Sequence, residues 1–178
     1  MDSPPSPRPA RRRARAVPET GPAELTLPAL LRVFGLFRQA MDPHFTRFGI
    51  SGPQWAILRV LVRDESEGGK GVPHKEIGRR LFIQPPSVTA VVDRLERQGL
   101  VRRGGSTDDL RVRPVALTAS GRKLVARIES VHCRHLQTLF GVLSDSEQSR
   151  LRALLGKLGD HLEKQVSLTG KPARPRRV

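Results

Sequence analysis

The chain has 178 residues, with 32 Lys and Arg against 17 Asp and Glu, a net charge of +15, one cysteine and no tyrosine. At 37% hydrophobic and only 4% aromatic residues, one domain of this length must build its core mostly from Leu, Val, Ile and Ala. The lone Cys133 rules out an intrachain disulfide, and no apolar run approaches the roughly 18–20 residues of a membrane span.

The charge surplus favours a polyanionic partner through long-range attraction and counterion release. Nucleic acid, an anionic membrane surface and an acidic protein all meet that condition. A single cysteine suits a reducing compartment. No hydrophobic segment of signal-peptide length follows the basic N-terminus, so the expected location is the cytoplasm.

Residues 1–22 carry five Arg and two acidic residues among many Pro, for a net +3. They hold almost nothing to bury and are predicted to be a disordered basic tail. Residues 171–178, Lys171-Pro-Ala-Arg-Pro-Arg-Arg-Val178, are read the same way at +4, which leaves +8 in residues 23–170. The folded part is therefore basic in its own right.

The first predicted helix covers about Leu27 to Phe45, with Leu27, Leu30, Leu31, Phe34, Met41 and Phe45 at helical spacing. Pro43 is expected to kink or shorten its last turn. Ser51-Gly-Pro-Gln54 opens a second helix: Ser51 can cap, Pro53 suits the first turn, and Gln54 completes a capping box. Ile50 and Trp55 fall at the positions of a hydrophobic staple. This helix is expected to end near Val62, before an acidic, Gly-rich loop over 64–71.

A short third helix, about Pro73–Leu81, and a fourth, from Pro85 or Pro86 to Gln98, come next, with Gly99 as a C-terminal cap. Leu100–Arg103 and Arg111–Leu117 read as two strands around a basic loop, and Pro114 suggests an edge position. Thr118 can cap a long fifth helix reaching about Gly141. Ser144-Asp-Ser-Glu147 is a second capping box, opening a sixth helix with Leu151, Leu154, Leu155, Leu158 and Leu162 on one face. Some 24 helical residues in the fifth helix span about 36 Å, more than one small module needs. The first, fifth and sixth helices carry more apolar surface than that module can cover, and a helical dimer interface is the simplest sink.

The order helix, tight break, helix, basic two-stranded loop over residues 72–118 is a winged helix-turn-helix. The fold class is mainly α with a small β-hairpin wing and a helical dimerisation region. In such a module the second helix enters the major groove of duplex DNA. Val88, Val91, Val92 and Leu95 form the inward face of the fourth helix; Ser87, Thr89, Ala90, Asp93, Arg94 and Arg97 lie outward or flanking. Ser and Thr hydroxyls can meet bases or phosphates, the Thr89 methyl can pack on a thymine methyl, and Arg94 can reach guanine or a phosphate. Asp93 or Glu96 can also pair with Arg94 and Arg97 as an ordinary solvated face. In the loop Arg102–Arg113, with Arg103, Arg111 and Arg113 as candidate DNA contacts, an arginine at the tip reads minor-groove width and potential. Asp109, two residues before Arg111, can hold that guanidinium in a fixed direction or serve turn chemistry.

These residues resemble the MarR family of transcriptional regulators over about 25–168. The specific parts are Gly49-Ile-Ser-Gly-Pro-Gln-Trp55, Lys75-Glu-Ile-Gly-Arg-Arg-Leu81, Ser87-Val-Thr-Ala-Val-Val-Asp-Arg-Leu-Glu-Arg-Gln-Gly-Leu-Val101, and Asp109-x-Arg111 followed by Leu117-Thr118-x-x-Gly121. The resemblance implies a homodimer intertwined through dimerisation helices at about 25–47 and 118–166, a winged module at about 49–117 and a pseudo-palindromic operator. It also implies Arg111 in the minor groove, oriented by Asp109, and repression released by a small-molecule effector or by oxidation. Two departures weaken base contacts: Ala90 and Leu110 stand where relatives often carry larger or polar residues. With no tyrosine and its cysteine in the fifth helix, the chain does not fit the peroxide-sensing branch. Ala56 after Trp55 disfavours the urate-responsive one.

Phe34, Phe37, Met41 and Trp55 are the candidate effector contacts, against a plain core role for Trp55. His132-Cys133-x-His135 is a weak zinc signal, since position 133 points about 100° from 132 on a helix; against a metal site or a thiol redox sensor, it is read as a structural Cys with surface or interface His. No phosphate loop, dinucleotide fingerprint or nucleophile motif is present. The expectation is therefore a regulator that is not an enzyme and needs no cofactor, with a double-stranded DNA operator as partner. The alternative is a non-specific architectural DNA- or RNA-binding protein. A winged helix serving protein interaction is a third class.

Overall fold

The structure, a computed structural model, describes residues 21–104 and 114–169. It contains α1 (Pro22–Thr46), α2 (Gly52–Ser66), α3 (His74–Leu81), α4 (Pro85–Arg97), β1 (Val101–Arg103), β2 (Val115–Leu117), α5 (Ala119–Phe140) and α6 (Asp145–Thr169). The described residues fall into two compact units dividing between Pro43 and His44.

The first unit is α1 up to Pro43. The helix starts a turn earlier than its apolar spacing suggested and contains both Pro28 and Pro43, continuing to Thr46. A proline removes one backbone donor and crowds one carbonyl, and beyond Pro43 only three helical residues remain. The apolar positions along this helix are largely uncovered. Leu27, Leu30, Leu31, Phe34 and Phe37 are all exposed, Phe34 by 67%.

The second unit holds the core. Ile57, Leu58 and Leu61 of α2, Ile77 of α3, Val88, Val92 and Leu95 of α4, Val115 and Leu117 of β2, and Val125 and Ile128 of α5 are buried together with Val72 and Val101. All are aliphatic, as the composition required. Three helix starts, those of α2, α5 and α6, match caps legible in the sequence. The Ser51 amide donates to Gln54 Oε1 at 2.9 Å, the Thr118 hydroxyl accepts from the Gly121 amide at 3.0 Å, and the Ser144 amide donates to Glu147 Oε2 at 2.8 Å. α2 runs a turn beyond Val62, to Ser66, because Asp64 ties the following loop down by accepting the Gly71 amide at 3.0 Å.

β1 and β2 pair antiparallel in the register Val101–Leu117, Arg102–Ala116, Arg103–Val115. The expected edge position for the second strand is corrected. Val115 exchanges two 2.9 Å backbone hydrogen bonds with Val72 on its other side, so it lies between two neighbours. Pro114 is tolerated because its missing donor falls just outside that pairing, while its carbonyl accepts the Gly104 amide at 2.7 Å.

α6 has no buried residue among those described, and Leu151, Leu154, Leu155, Leu158, Leu162 and Val166 are all exposed. Among the described residues no helix is long and apolar enough to cross a membrane.

Candidate nucleic-acid interface

α3 and α4 are joined by a turn of three residues whose shape is imposed by close approach. The Ile83 amide donates to the Gly78 carbonyl at 3.1 Å. A Cβ on Gly78 would lie 2.9 Å from the Ile83 carbonyl oxygen, so a side chain there would push the turn away. Phe82 closes α3 in the left-handed region at φ 53°, an unusual backbone for a bulky residue, and its ring is 70% exposed.

Pro85 and Pro86 then start α4, where missing amide donors cost nothing. Val88, Val92 and Leu95 are fully buried, and Val91, expected inward with them, is half-buried. Ser87, Thr89, Ala90, Arg94 and Arg97 are all exposed, so α4 presents one continuous outer face. The Thr89 hydroxyl donates to the Pro85 carbonyl at 3.1 Å, leaving its lone pairs and methyl outward. Arg97 Nε donates to the Asp93 backbone carbonyl at 3.3 Å. Arg94 enters none of the ion pairs formed among the described residues.

Arg103, named from the sequence as a DNA contact, is bonded to carboxylates of α4. Its guanidinium bonds Glu96 Oε2 at 2.9 Å and also Asp93 Oδ1, and its amide donates to Glu96 Oε1 at 3.3 Å. The two α4 carboxylates expected to pair with Arg94 and Arg97 are thus taken by an arginine from β1, whose side chain is only 28% exposed. Sequence spacing favours pairs within a helix and gives no sign of this cross-element pair. His74, at the start of α3, has its pKa lowered first by burial and then by the nearby Arg103 charge, against the raising effect of Asp93 and Glu96.

Beside α3, Glu76 accepts from Arg79 and Arg80 at 2.7 Å, and those bonds hold its pKa at about 2. Arg79 and Arg80 line one wall of an open groove of about 1030 Å³ that also takes in Lys75, Phe82 and Pro85.

The base of the wing is anchored on both sides. Thr118 donates its amide to the Leu100 carbonyl at 3.1 Å and its hydroxyl to the Gly99 carbonyl at 2.7 Å. A Cβ on Gly121 would fall 2.1 Å from the same Leu100 oxygen, so only glycine lets α5 start this close. Asp109, Leu110, Arg111 and Arg113 lie outside the described residues.

The candidate effector residues divide between the two units. Phe34 and Phe37 are exposed on α1 and Met41 is buried there. Trp55 is buried in the second unit, with its ring centroid 5.7 Å from that of Phe45 and 5.3 Å from that of His132. These contacts place the Trp55 ring in the core.

His132 and His135 also prove to be more than isolated surface histidines. His44 lies 88 positions from His132 in sequence, yet their rings bond Nε2 to Nδ1 at 3.2 Å. His135 stacks on His44 at 4.4 Å between centroids. Arg47 can only donate, and does so to His44 Nδ1 at 3.1 Å. Neutral His44 must therefore carry its proton on Nε2 and donate it to His132. Burial, followed by the charges of His135, Arg47 and His132, holds the His44 pKa at about 4. A ring that keeps its Nε2 proton and faces a guanidinium on Nδ1 is a poor metal ligand. No group of three or more metal-ligating side chains occurs among the described residues, and Cys133 is exposed.

The comparisons with known proteins meet this geometry at the reading module. A family model described as the MarR family matches residues 48–111. The HTH-type transcriptional regulator PecS of Dickeya dadantii (strain 3937) is 31% identical over 142 residues, covering 78% of this chain and 82% of PecS. The chain belongs to the MarR family. It is accordingly a DNA-binding transcriptional regulator with a winged helix-turn-helix. Within the family it is also similar to the HTH-type transcriptional repressor Rv2887 of Mycobacterium tuberculosis (strain ATCC 25618 / H37Rv), 28% identical over 73% of this chain and 90% of that one. Among solved structures, the MepR–DNA complex of S. aureus superposes with a TM-score of 0.65 at 26% identity, covering 82% of this chain and 99% of that one.

Proposed function

We propose that this MarR-family regulator is a cytoplasmic repressor that binds a pseudo-palindromic operator as a homodimer and yields to a small-molecule effector. The observation that carries the DNA contacts is the outer face of α4, where Ser87, Thr89, Ala90, Arg94 and Arg97 are all exposed on a helix otherwise anchored by Val88, Val92 and Leu95. That face enters the major groove. Arg94 and Arg97 serve phosphate or guanine, and Ser87 and Thr89 contact base edges. The wing supplies Arg111, oriented by Asp109, to the neighbouring minor groove, and Arg113 adds charge. Because Ala90 offers only a methyl group, DNA shape carries more of the specificity, and phosphate contacts more of the affinity, than in a reader with a long side chain there.

The dimer rests on uncovered apolar surface. Six apolar residues recur along α6 from Leu151 to Val166, exposed by 36–64%. α1 adds Leu27, Leu30, Leu31 and Phe34. Patches of this length on a soluble chain call for a partner. In the domain plan, α1, α5 and α6 form the dimerisation region, and residues 49–117 form the reader. The regulated DNA is then read as two half-sites about one helical turn apart. The repressor reading draws on the similarity to Rv2887, which is named a repressor, and occlusion of a promoter is the simplest way such a dimer acts. Trp55 is assigned to the core on its contacts with Phe45 and His132.

Competition binding at fixed salt tests the function. Genomic fragments retained by the purified protein are challenged with excess random duplex and with RNA. Selective retention of a fragment containing an inverted repeat supports the operator-binding repressor. Equal loss to any duplex or to RNA makes the protein a non-specific binder and refutes it.

A further inference from the structure

Arg103 sits where a DNA contact is expected, yet its side chain is turned onto its own protein. One guanidinium reaches two carboxylates on α4, Asp93 and Glu96. Those carboxylates are themselves 45% and 38% exposed, on a helix meant to approach phosphates. Left alone they would do two things. They would repel the polyanion, and Asp93 would pair with Arg97, its i+4 neighbour on the helix. Arg97 does not make that pair. Its Nε bonds the Asp93 backbone carbonyl, while the Asp93 carboxylate is held by Arg103. Glu96 is likewise held by Arg103 from two directions, through the guanidinium and the β1 amide.

We infer that Arg103 is a positioning residue, an internal counter-ion that occupies Asp93 and Glu96 and thereby keeps Arg94 and Arg97 available to DNA phosphates. This rests on the proposed placement of α4 in the major groove. Arg103 never touches the operator in this account. It acts by what it withholds from its neighbours, and it does so from the strand that leads into the wing.

The test compares three full-length proteins on the retained duplex across a salt series: the wild type, Arg103→Gln, and Arg103→Gln combined with Asp93→Asn and Glu96→Gln. Both variants lose the bridge, so any displacement of the wing is common to them, and their difference reads charge alone. Two unmasked carboxylates beside phosphates should weaken Arg103→Gln by about tenfold near physiological salt. Its slope of log affinity against log salt should fall by roughly one phosphate contact, as Arg97 turns to Asp93. The triple variant should recover to within about threefold of wild type and regain the wild-type slope, because no carboxylate remains to be masked. If the triple variant stays as weak and as shallow as Arg103→Gln, Arg103 contacts DNA directly or acts through geometry, and the inference fails. It fails equally if Arg103→Gln binds like wild type. A wild-type protein that retains no duplex at all refutes instead the DNA-binding placement of α4, and is read from that arm alone.

Discussion

Gly121→Ala places a methyl group where α5 meets the base of the wing. The added Cβ would stand 2.1 Å from the Leu100 carbonyl oxygen and 3.2 Å from Leu117 Cδ2, against the 3.4–4 Å of ordinary contact. Neither atom can step aside cheaply, since Leu100 O belongs to backbone fixed by β1 and Leu117 is buried in β2. Relief requires α5 to retreat by about an ångström. That movement stretches the Thr118 bonds, now 3.1 Å to Leu100 O and 2.7 Å to Gly99 O, toward or past the limit of hydrogen bonding. Two weakened bonds cost about 1 kcal/mol each and overpacking adds about 1–3 kcal/mol. The better helix propensity of alanine returns at most about 1 kcal/mol, and less this close to the helix start. The net loss is about 3 kcal/mol. Equilibrium urea unfolding at one fixed protein concentration reads it as a midpoint lower by roughly 1–3 M. Gly156→Ala, where an added Cβ meets nothing within 4 Å, is the matched control and should be neutral or stabilising. A Gly121→Ala midpoint equal to that of wild type would refute the close approach itself.

Arg111→Ala should weaken operator binding by about 1–3 kcal/mol in a titration of the retained duplex; unchanged affinity removes the wing from the mechanism. Leu158→Asp, on the exposed α6 stripe, should halve the mass seen by sedimentation, whereas an unaltered mass places the interface elsewhere. Phe82→Gly relieves a left-handed backbone at little loss of burial, so the urea midpoint should rise by an amount equivalent to about 0.5–1 kcal/mol; a fall would mean that the exposed ring is holding something. For pH, the folded His44 titrates at about 4 instead of 6.5 and His132 is lowered as well. The unfolded chain then binds more protons between those values. Stability present above pH 6.5 is lost as the pH falls toward 4, and His44→Gln should flatten that slope in urea unfolding, which an unchanged slope would contradict.

Much of the reader was legible because its signals are local. Ser51 and Gln54, Thr118, and Ser144 and Glu147 mark helix starts by hydrogen bonds spanning three residues. Val88, Val92 and Leu95 follow the helical period that buries them. What escaped is non-local. Arg103 reaches Asp93 and Glu96 only because β1 turns back along α4. His44 meets His132 and His135 only because the end of α1 lies against α5 in the second unit. Val72 pairs with Val115 from a position between the expected loop and the third helix. One glycine lay between these cases. Gly121 stood in a recognisable motif, but its reason, the Leu100 oxygen at 2.1 Å from a virtual Cβ, exists only once the wing base and α5 are placed together. The ion pairs of Arg103 were hidden for the same cause. Charge and position made it look like a contact, and only the tertiary fold shows which carboxylates hold it.

The same junction bears on how the regulator could be controlled. α5 is fixed at its first turn by Thr118 and Gly121 against Leu100, where β1 begins. Further along it is tied to α2 by Arg122 with Glu65 and by Arg59 with Glu129, and His132 of α5 packs on Trp55. These are four attachments along one helix of 22 residues. A helix so attached transmits rotation rather than absorbing it, because shifting one end strains every joint at once. If the proposed dimer is built through α5, the angle of that helix would set the distance between the two α4 helices. An effector or a histidine protonation that loosens the Trp55–His132 contact would act on that angle without touching DNA. The two half-sites would then fall out of step while each reader stayed folded.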